Sequence, residues 1–350
     1  MQNIEVWAHR GASGYAPENT MEAFELAIEM GADGIELDVQ LSKDGELVVI
    51  HDEMLQRVSN GNGYVKDYTL EELKTLNFNR THPEYKKTSI PMLKEVLQLL
   101  KNTDLNLNIE LKTGMFFYSD IERKILDLVS EYGMQDKVWY SSFNHYTVKK
   151  IKELQTDAKV GLLYSDGIYE PAEYASSFGA EAIHPYLVNL QYPHVVERCK
   201  KNDIKIHTWT ANSFLDMENC IRYGVDAMIT NYPDKAKCLV ERQAEGRYPY
   251  ENPFEVYSDR MFYLFGAGYS GQHFLKRYAG KYMPQKILDN AETKWGKKVE
   301  GIIVESPKCL QTTDCVVVTG AYYADIIKQL KSFGVDNYYI YHEASDWGTI

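Results

Sequence analysis

Eight short apolar runs, each followed by a helix signal, succeed one another from Ile4 to about Gln243, and that rhythm leaves few folds open. The runs are Ile4–Ala8, Gly34–Gln40, Leu105–Leu111, Lys137–Ser141, Lys159–Tyr164, Ala182–Pro185, Ile204–Thr208 and Asp226–Thr230. Most are long enough for a strand and too short for a helix, and the stretches between them carry helical periodicity with caps such as Asn19 or Thr20 at the start and Gly31 at the end. Eight strands alternating with helices predict an α/β chain folded as a (β/α)8 TIM barrel. A doubly wound open sheet would set the strand ends along a crevice instead of a ring. One break in the rhythm stands out. Residues 52–91, after the second strand and a third extended piece at Glu46–Ile50, are too long for an ordinary βα loop of ~2–6 residues. They read as an insertion over the barrel mouth, able to shape a pocket or act as a lid.

Chemistry-bearing side chains gather where these strands end. His9 and Arg10 follow the first, Glu36 and Asp38 lie in the second, His51 follows the extended piece, and Glu110 and Lys112 close the next. Glu36 and Asp38 share parity, so a regular strand points both to one face, where two carboxylates need a cation between them. Glu110 is a candidate third carboxylate, with Lys112 beside it. Oxygen ligands with no cysteine suit a hard ion, Ca²⁺ or Mg²⁺. Two imidazoles can exchange protons near neutral pH, and a guanidinium can clamp a phosphate.

The segments H-R-G-A-S-G-Y-A-P-E-N-T (His9–Thr20) and G-A-D-G-I-E-L-D-V-Q-L-S-K-D-G-E-L-V-V-I-H-D (Gly31–Asp52) closely resemble the glycerophosphodiester phosphodiesterase family. The resemblance implies a metal-dependent TIM barrel that cuts glycerophosphodiesters to glycerol 3-phosphate and an alcohol. It implies His9 and His51 as the acid/base pair, without saying which is which. It implies Glu36, Asp38 and Glu110 as metal ligands, Arg10 and Lys112 on the phosphate, and Trp209 of H-T-W-T-A-N against the glycerol or leaving group. Where the family often has an aspartate after the last strand, this chain has Asn231, a departure that we expect to touch no catalytic position.

From Arg260 onward the character changes. Residues 1–245 read as the barrel domain, 246–259 as an aromatic-rich linker, and 260–350 as a small Rossmann-like α/β domain. There G-A-G-Y-S-G, with Gly266, Gly268 and Gly271, lies between a strand and a helix, and Asp289 ends the next strand. That is the context of a dinucleotide fingerprint. The domain resembles those attached to enzymes of capsule and surface-sugar synthesis, which implies a nucleotide or sugar ligand. The second domain carries 11 Lys and Arg against 9 Asp and Glu, and the remainder 27 against 41. Such an acidic barrel is a poor partner for nucleic acid or an anionic membrane surface. No apolar run approaches the ~18 residues of a membrane helix. The N-terminus runs straight into a strand without a leader, and the five scattered cysteines show no C-x-x-C spacing, so the cytoplasm is the expected compartment. Two other functions remain as expectations. One is a glycerophosphate-removing enzyme acting on a capsule or teichoic-type polymer or a nucleotide-linked precursor. The other is an inert nucleotide-binding sensor or scaffold.

Overall fold

The computed structural model describes residues 4–244, 261–278 and 281–343; the expected linker, 246–259, lies outside them. These residues divide into two compact units, Met1–Lys237 and Cys238–Ile350.

Among the described residues of the first unit, eight parallel strands pair in chain order and close on themselves. They are β1 (Glu5–His9), β2 (Gly34–Leu41), β4 (Asn106–Leu111), β5 (Val138–Ser142), β6 (Lys159–Tyr164), β7 (Ala182–Pro185), β8 (Lys205–Thr208) and β9 (Ala227–Thr230). β9 returns to β1, and β1 pairs with β2, so this is a (β/α)8 TIM barrel. The extended piece after β2 is not a barrel strand. As β3 (Leu47–Val49) it runs back antiparallel along β2, with Val39 opposite Val49. The hairpin is what carries His51 back beside Asp38, whose carbonyl accepts the Ile50 amide at 2.9 Å.

The helices follow from their caps and apolar stripes. Thr20, not Asn19, caps α1 (Met21–Glu29) by accepting from the Ala23 amide. In α3 (Leu93–Leu100), Leu93, Val96, Leu97 and Leu100 fall on one buried face. Ser213 opens α8 (Phe214–Tyr223) with a capping box to Asp216. Residues 52–91 hold a short helix, α2 (Leu70–Thr75), and an apolar cluster of Leu55, Val58, Val65, Leu73, Phe78 and Ile90 packed with Val48 and Ile50. That cluster ties the segment to the His51 hairpin.

The barrel interior is aromatic. Trp7 and Trp139 enclose His207 at ring-centroid distances of 4.5 and 4.7 Å, and His207 Nδ1 lies 2.9 Å from His184 Nε2. Rings of this size crowd out side chains elsewhere. A Cβ on Gly161 would sit 2.1 Å from His184 Nε2, and one on Gly34 2.6 Å from the Trp7 ring. Those two strand positions therefore require glycine.

In the second unit the strands are β10 (Tyr263–Phe265), β11 (Lys286–Leu288), β12 (Lys298–Val299), β13 (Ile302–Glu305), β14 (Val316–Thr319) and β15 (Tyr338–Tyr341). Their order is β12-β13-β11-β10-β14-β15, parallel except for β12 against β13. The chain builds outward from β10 on one side, then crosses to the other, so the direction of winding reverses between β10 and β14. The last residues of α9 (Pro233–Ala244) belong here: Arg242 lies over the Tyr338 ring at 3.9 Å and donates to its carbonyl.

Candidate active site

Strand register brings the polar residues of the sequence motifs to one end of the barrel. His9 is level with Glu36 across β1 and β2, and Asp38 is level with Glu110 across β2 and β4. Oxygens of Glu36, Asp38 and Glu110 all lie within 4.8 Å of one another, and all three residues are buried. Burial and the neighbouring Asp38 push the Glu36 carboxyl well above its usual range. Burial also raises Glu110, against the pull of Lys112, whose Nζ lies 2.7 Å from Glu110 Oε1. Burial opposes ionisation of Asp38 too, yet His51, Arg10, Lys112 and the Asn19 amide together hold it below the usual carboxylate range. Among the described residues Asp38 Oδ1 has no hydrogen-bond partner, with Lys112 Nζ 3.7 Å away. Three converging buried carboxylates, one with an orphaned oxygen, fit a hard divalent cation.

The two histidines are held in the same manner. His9 Nδ1 lies 2.7 Å from Asn231 Oδ1, and His51 Nδ1 2.6 Å from Asp52 Oδ1. An oxygen acceptor at Nδ1 puts the proton there and leaves Nε2 as the ring's reactive nitrogen. Their partners differ in charge. Burial, then the Arg10 guanidinium, hold the His9 imidazole down at about 3 despite the Asn231 hydrogen bond. His51 rests on a carboxylate that His51 and Arg57 hold below its usual range against burial.

Arg10 adopts a left-handed backbone (φ 55°) in which its amide donates to the Glu36 carbonyl at 2.8 Å. This turn sends the guanidinium to Glu18 at 2.8 Å and its Nε to within 3.3 Å of Asp38. Arg57 joins the ring from residues 52–91, reaching Glu18 at 2.5 Å and Asp52 at 2.6 Å. The pairs run His51–Asp52–Arg57–Glu18–Arg10–Asp38, a continuous chain linking His51 to the carboxylates. Trp209 stands at the mouth, its Nε1 donating to the His184 carbonyl at 2.9 Å, with Phe143 and Tyr186 at ring-centroid distances of 5.6 and 5.3 Å. A cleft of 80 Å³ opens between His9, Arg10, Glu36, His51, Glu110 and Trp209.

All eight barrel residues singled out in the sequence thus meet at one end. Asn231, expected to touch no catalytic position, is the hydrogen-bond partner of the candidate His9, because the turn after β9 closes the ring beside β1. Glu18, Asp52 and Arg57, to which the sequence reading assigns no role, also belong to the site. Asn19 it read only as a cap, whereas its amide donates to Asp38 at 2.8 Å. The short runs P-E-N and H-D were the available signals, since polar residues adjoining a site residue tend to brace it.

In the second unit, Gly266, Gly268, Gly271 and Asp289 line one cavity of 510 Å³ with Lys294, Thr319, Tyr322 and Asp325. Gly271 is required by packing, since a Cβ there would meet the Gly266 carbonyl oxygen at 1.9 Å. At Gly268 a Cβ would meet nothing within 4 Å. Asp289 already accepts from the Ala267 and Ala291 amides, both at 2.9 Å, and from Lys294 at 2.8 Å.

Comparison with known proteins agrees with the barrel. Residues 9–235 match the glycerophosphoryl diester phosphodiesterase family. A glycerophosphodiester phosphodiesterase of Caldanaerobacter subterraneus subsp. tengcongensis is 46% identical over 238 residues, 68% of this chain and 98% of that one. One from Bacillus altitudinis is 40% identical over 66% of this chain and 96% of its own length. An Oleispira antarctica phosphodiesterase, solved in complex with the product sn-glycerol-3-phosphate, superposes with a TM-score of 0.64 at 28% identity, covering 68% of this chain and 96% of that one. The chain belongs to the glycerophosphoryl diester phosphodiesterase family.

Proposed function

We propose that the protein hydrolyses glycerophosphodiesters to glycerol 3-phosphate and an alcohol at the cluster formed by β1, β2, β4 and the His51 hairpin. The observation that carries this reading is the joint placement of three buried carboxylates, two histidines with Nδ1 fixed, and two cations around one cleft. Relatives bearing that activity in their names, and one holding glycerol 3-phosphate, support it.

Glu36, Asp38 and Glu110 would hold the ion, Ca²⁺ or Mg²⁺, since no thiol or imidazole belongs to the cluster. An ion held there would supply Lewis-acid polarisation of the phosphoryl group. Arg10 and Lys112 neutralise the non-bridging oxygens. His9, held neutral by burial and Arg10, accepts the proton of the substrate's own glycerol hydroxyl as it attacks phosphorus, which gives a cyclic phosphate that water then opens to glycerol 3-phosphate. His51, whose Nδ1 rests on Asp52, gives a proton to the leaving oxygen as its bond to phosphorus breaks. Trp209, flanked by Phe143 and Tyr186, walls the side where glycerol or the alcohol packs. Residues 52–91 act as an insertion at the mouth, a reading supported by the reach of Arg57 to Glu18 and Asp52. The cytoplasm is the compartment that the scattered cysteines favour.

Release of glycerol 3-phosphate from a panel of small glycerophosphodiesters tests the reading. We expect release that stops with EDTA and returns with Ca²⁺ or Mg²⁺. Silence on every small diester, in folded and metal-loaded protein, would overturn it.

The second unit we read as a Rossmann-like domain with a nucleotide or nucleotide-sugar at Gly266, Gly268 and Gly271. The reversal of winding beside β10 and the open face at Gly268 support this, although Asp289 braces the loop and is not left over for a ribose. A nucleotide at about 100 times its Kd would stabilise the unit by ~2.7 kcal/mol. Thermal shift of the full chain across a nucleotide panel reads this directly, and no shift with any of them removes the reading.

A further inference from the structure

β2 presents a third polar residue in step with Glu36 and Asp38, and nothing in the chemistry above uses it. Gln40 is fully buried. Its Nε2 lies 3.2 Å from the Ile50 carbonyl, 3.0 Å from that of His51 and 2.8 Å from that of Asp52. Its Oε1 accepts the Tyr118 hydroxyl at 3.0 Å. A carboxamide has two N–H hydrogens, so three successive carbonyls converge on a donor that serves two at a time. The chain curls around this one amide at the point where β3 ends and the proton-transfer segment begins. A buried amide is costly unless satisfied, and this one is satisfied largely by residues 50–52. Tyr118 fixes which way it faces, because the hydroxyl needs the oxygen and leaves the nitrogen for the carbonyls.

We propose that Gln40 is a positioning residue for His51, acting through the main chain of residues 50–52, and that Tyr118 sets its orientation. The proposal rests on the reading of His51 as a proton-transfer group. Asp52 restrains the ring at Nδ1, but Asp52 hangs from the same three peptides. An anchor on the backbone fixes both at once, and beside the bond of the Ile50 amide to Asp38 it is Gln40 that holds the carbonyls of residues 50–52 from the strand that bears two of the carboxylates. The reacting nitrogen and the carboxylate cluster are thereby referred to one rigid element.

A double-mutant cycle on the full-length, metal-saturated protein tests this with glycerophosphodiester turnover. Misplacing a reacting group by an ångström costs about 10²-fold, so Gln40→Leu should lower kcat by about that much with KM and metal affinity changed no more than about twofold. Gln40→Glu keeps the size but turns an acceptor oxygen to the carbonyls, and should fare no better. Tyr118→Phe should reproduce part of the loss. In a His51→Ala background, Gln40→Leu should cost nothing further, because the group it positions is gone. Where Gln40→Leu does not fold, Gln40→Met carries the same cycle. Full kcat in folded Gln40→Leu, or a loss that multiplies undiminished onto His51→Ala, would overturn the proposal. Near-normal turnover of His51→Ala alone would instead overturn the reading of His51, a separate and distinguishable failure.

Discussion

Alanine at His9 or at His51 lowers turnover about 10²–10⁴-fold, the usual worth of a general acid or base, while the barrel stays folded. Both rings lie at the strand ends and neither belongs to the aromatic interior, so removing them opens no large cavity in the core. The two losses should differ in kind. His51 carries its Nδ1 on the Asp52 carboxylate, whereas His9 has the neutral Asn231 amide and the Arg10 guanidinium beside it. If His51 protonates the leaving oxygen, a diester with a good leaving group such as p-nitrophenol needs that proton less. Such a substrate should restore much of the rate of His51→Ala and little of that of His9→Ala. The check is kcat and KM for both variants on both substrates, with thermal unfolding as the control for fold. Equal rescue of both variants would reverse or erase the assignment, and either variant turning over near the native rate on the natural diester would remove that residue from the chemistry.

The barrel itself was legible because it is written locally. Each strand is an apolar run and each helix carries its own cap and stripe, so the eight-fold alternation survives small errors at the ends. Glu36, Asp38, His9 and His51 were legible for a related reason: parity and strand ends place them without any knowledge of the closed ring. What the sequence could not show is what closure creates. Asn231 is 222 residues from His9 and meets it only because β9 pairs with β1. Arg57 lies in a polar stretch with no periodicity, and its double pairing with Glu18 and Asp52 exists only once residues 52–91 have packed on the His51 hairpin. The antiparallel turn of β3 is hidden too, since Leu47–Val49 has the composition of any buried strand and nothing local says which way it runs.

Acidification from neutral pH should weaken the native state, and the cause lies in the barrel interior. His184 and His207 share one hydrogen bond, 2.9 Å between Nε2 and Nδ1, against Trp7 and Trp139. Burial lowers His184 to about 3, and burial, then His184 and Lys205, put His207 well below its usual range. In the unfolded chain both imidazoles take up protons near pH 6.5. The folded state refuses them until far lower pH, so the unfolded state binds more protons and stability falls as pH falls. The contribution is intact above the unfolded value and is lost progressively from about pH 6.5 toward pH 3. Between about pH 7 and pH 5 each such histidine should cost ~2 kcal/mol, a sizeable share of the ~5–15 kcal/mol that holds a domain together. Glu36 and Glu110 act in the opposite sense, because carboxyls held above their usual range keep their protons longer in the folded state. The pair is therefore isolated by difference. Denaturant midpoints at the two pH values, for the native chain and for His184→Gln/His207→Gln, should show the native chain losing several kcal/mol more than the variant. The variant is expected to be the less stable of the two at neutral pH, since its side chains replace rings that fill the interior. An equal loss in both would mean that acid sensitivity arises elsewhere and that the interior pair tolerates its proton.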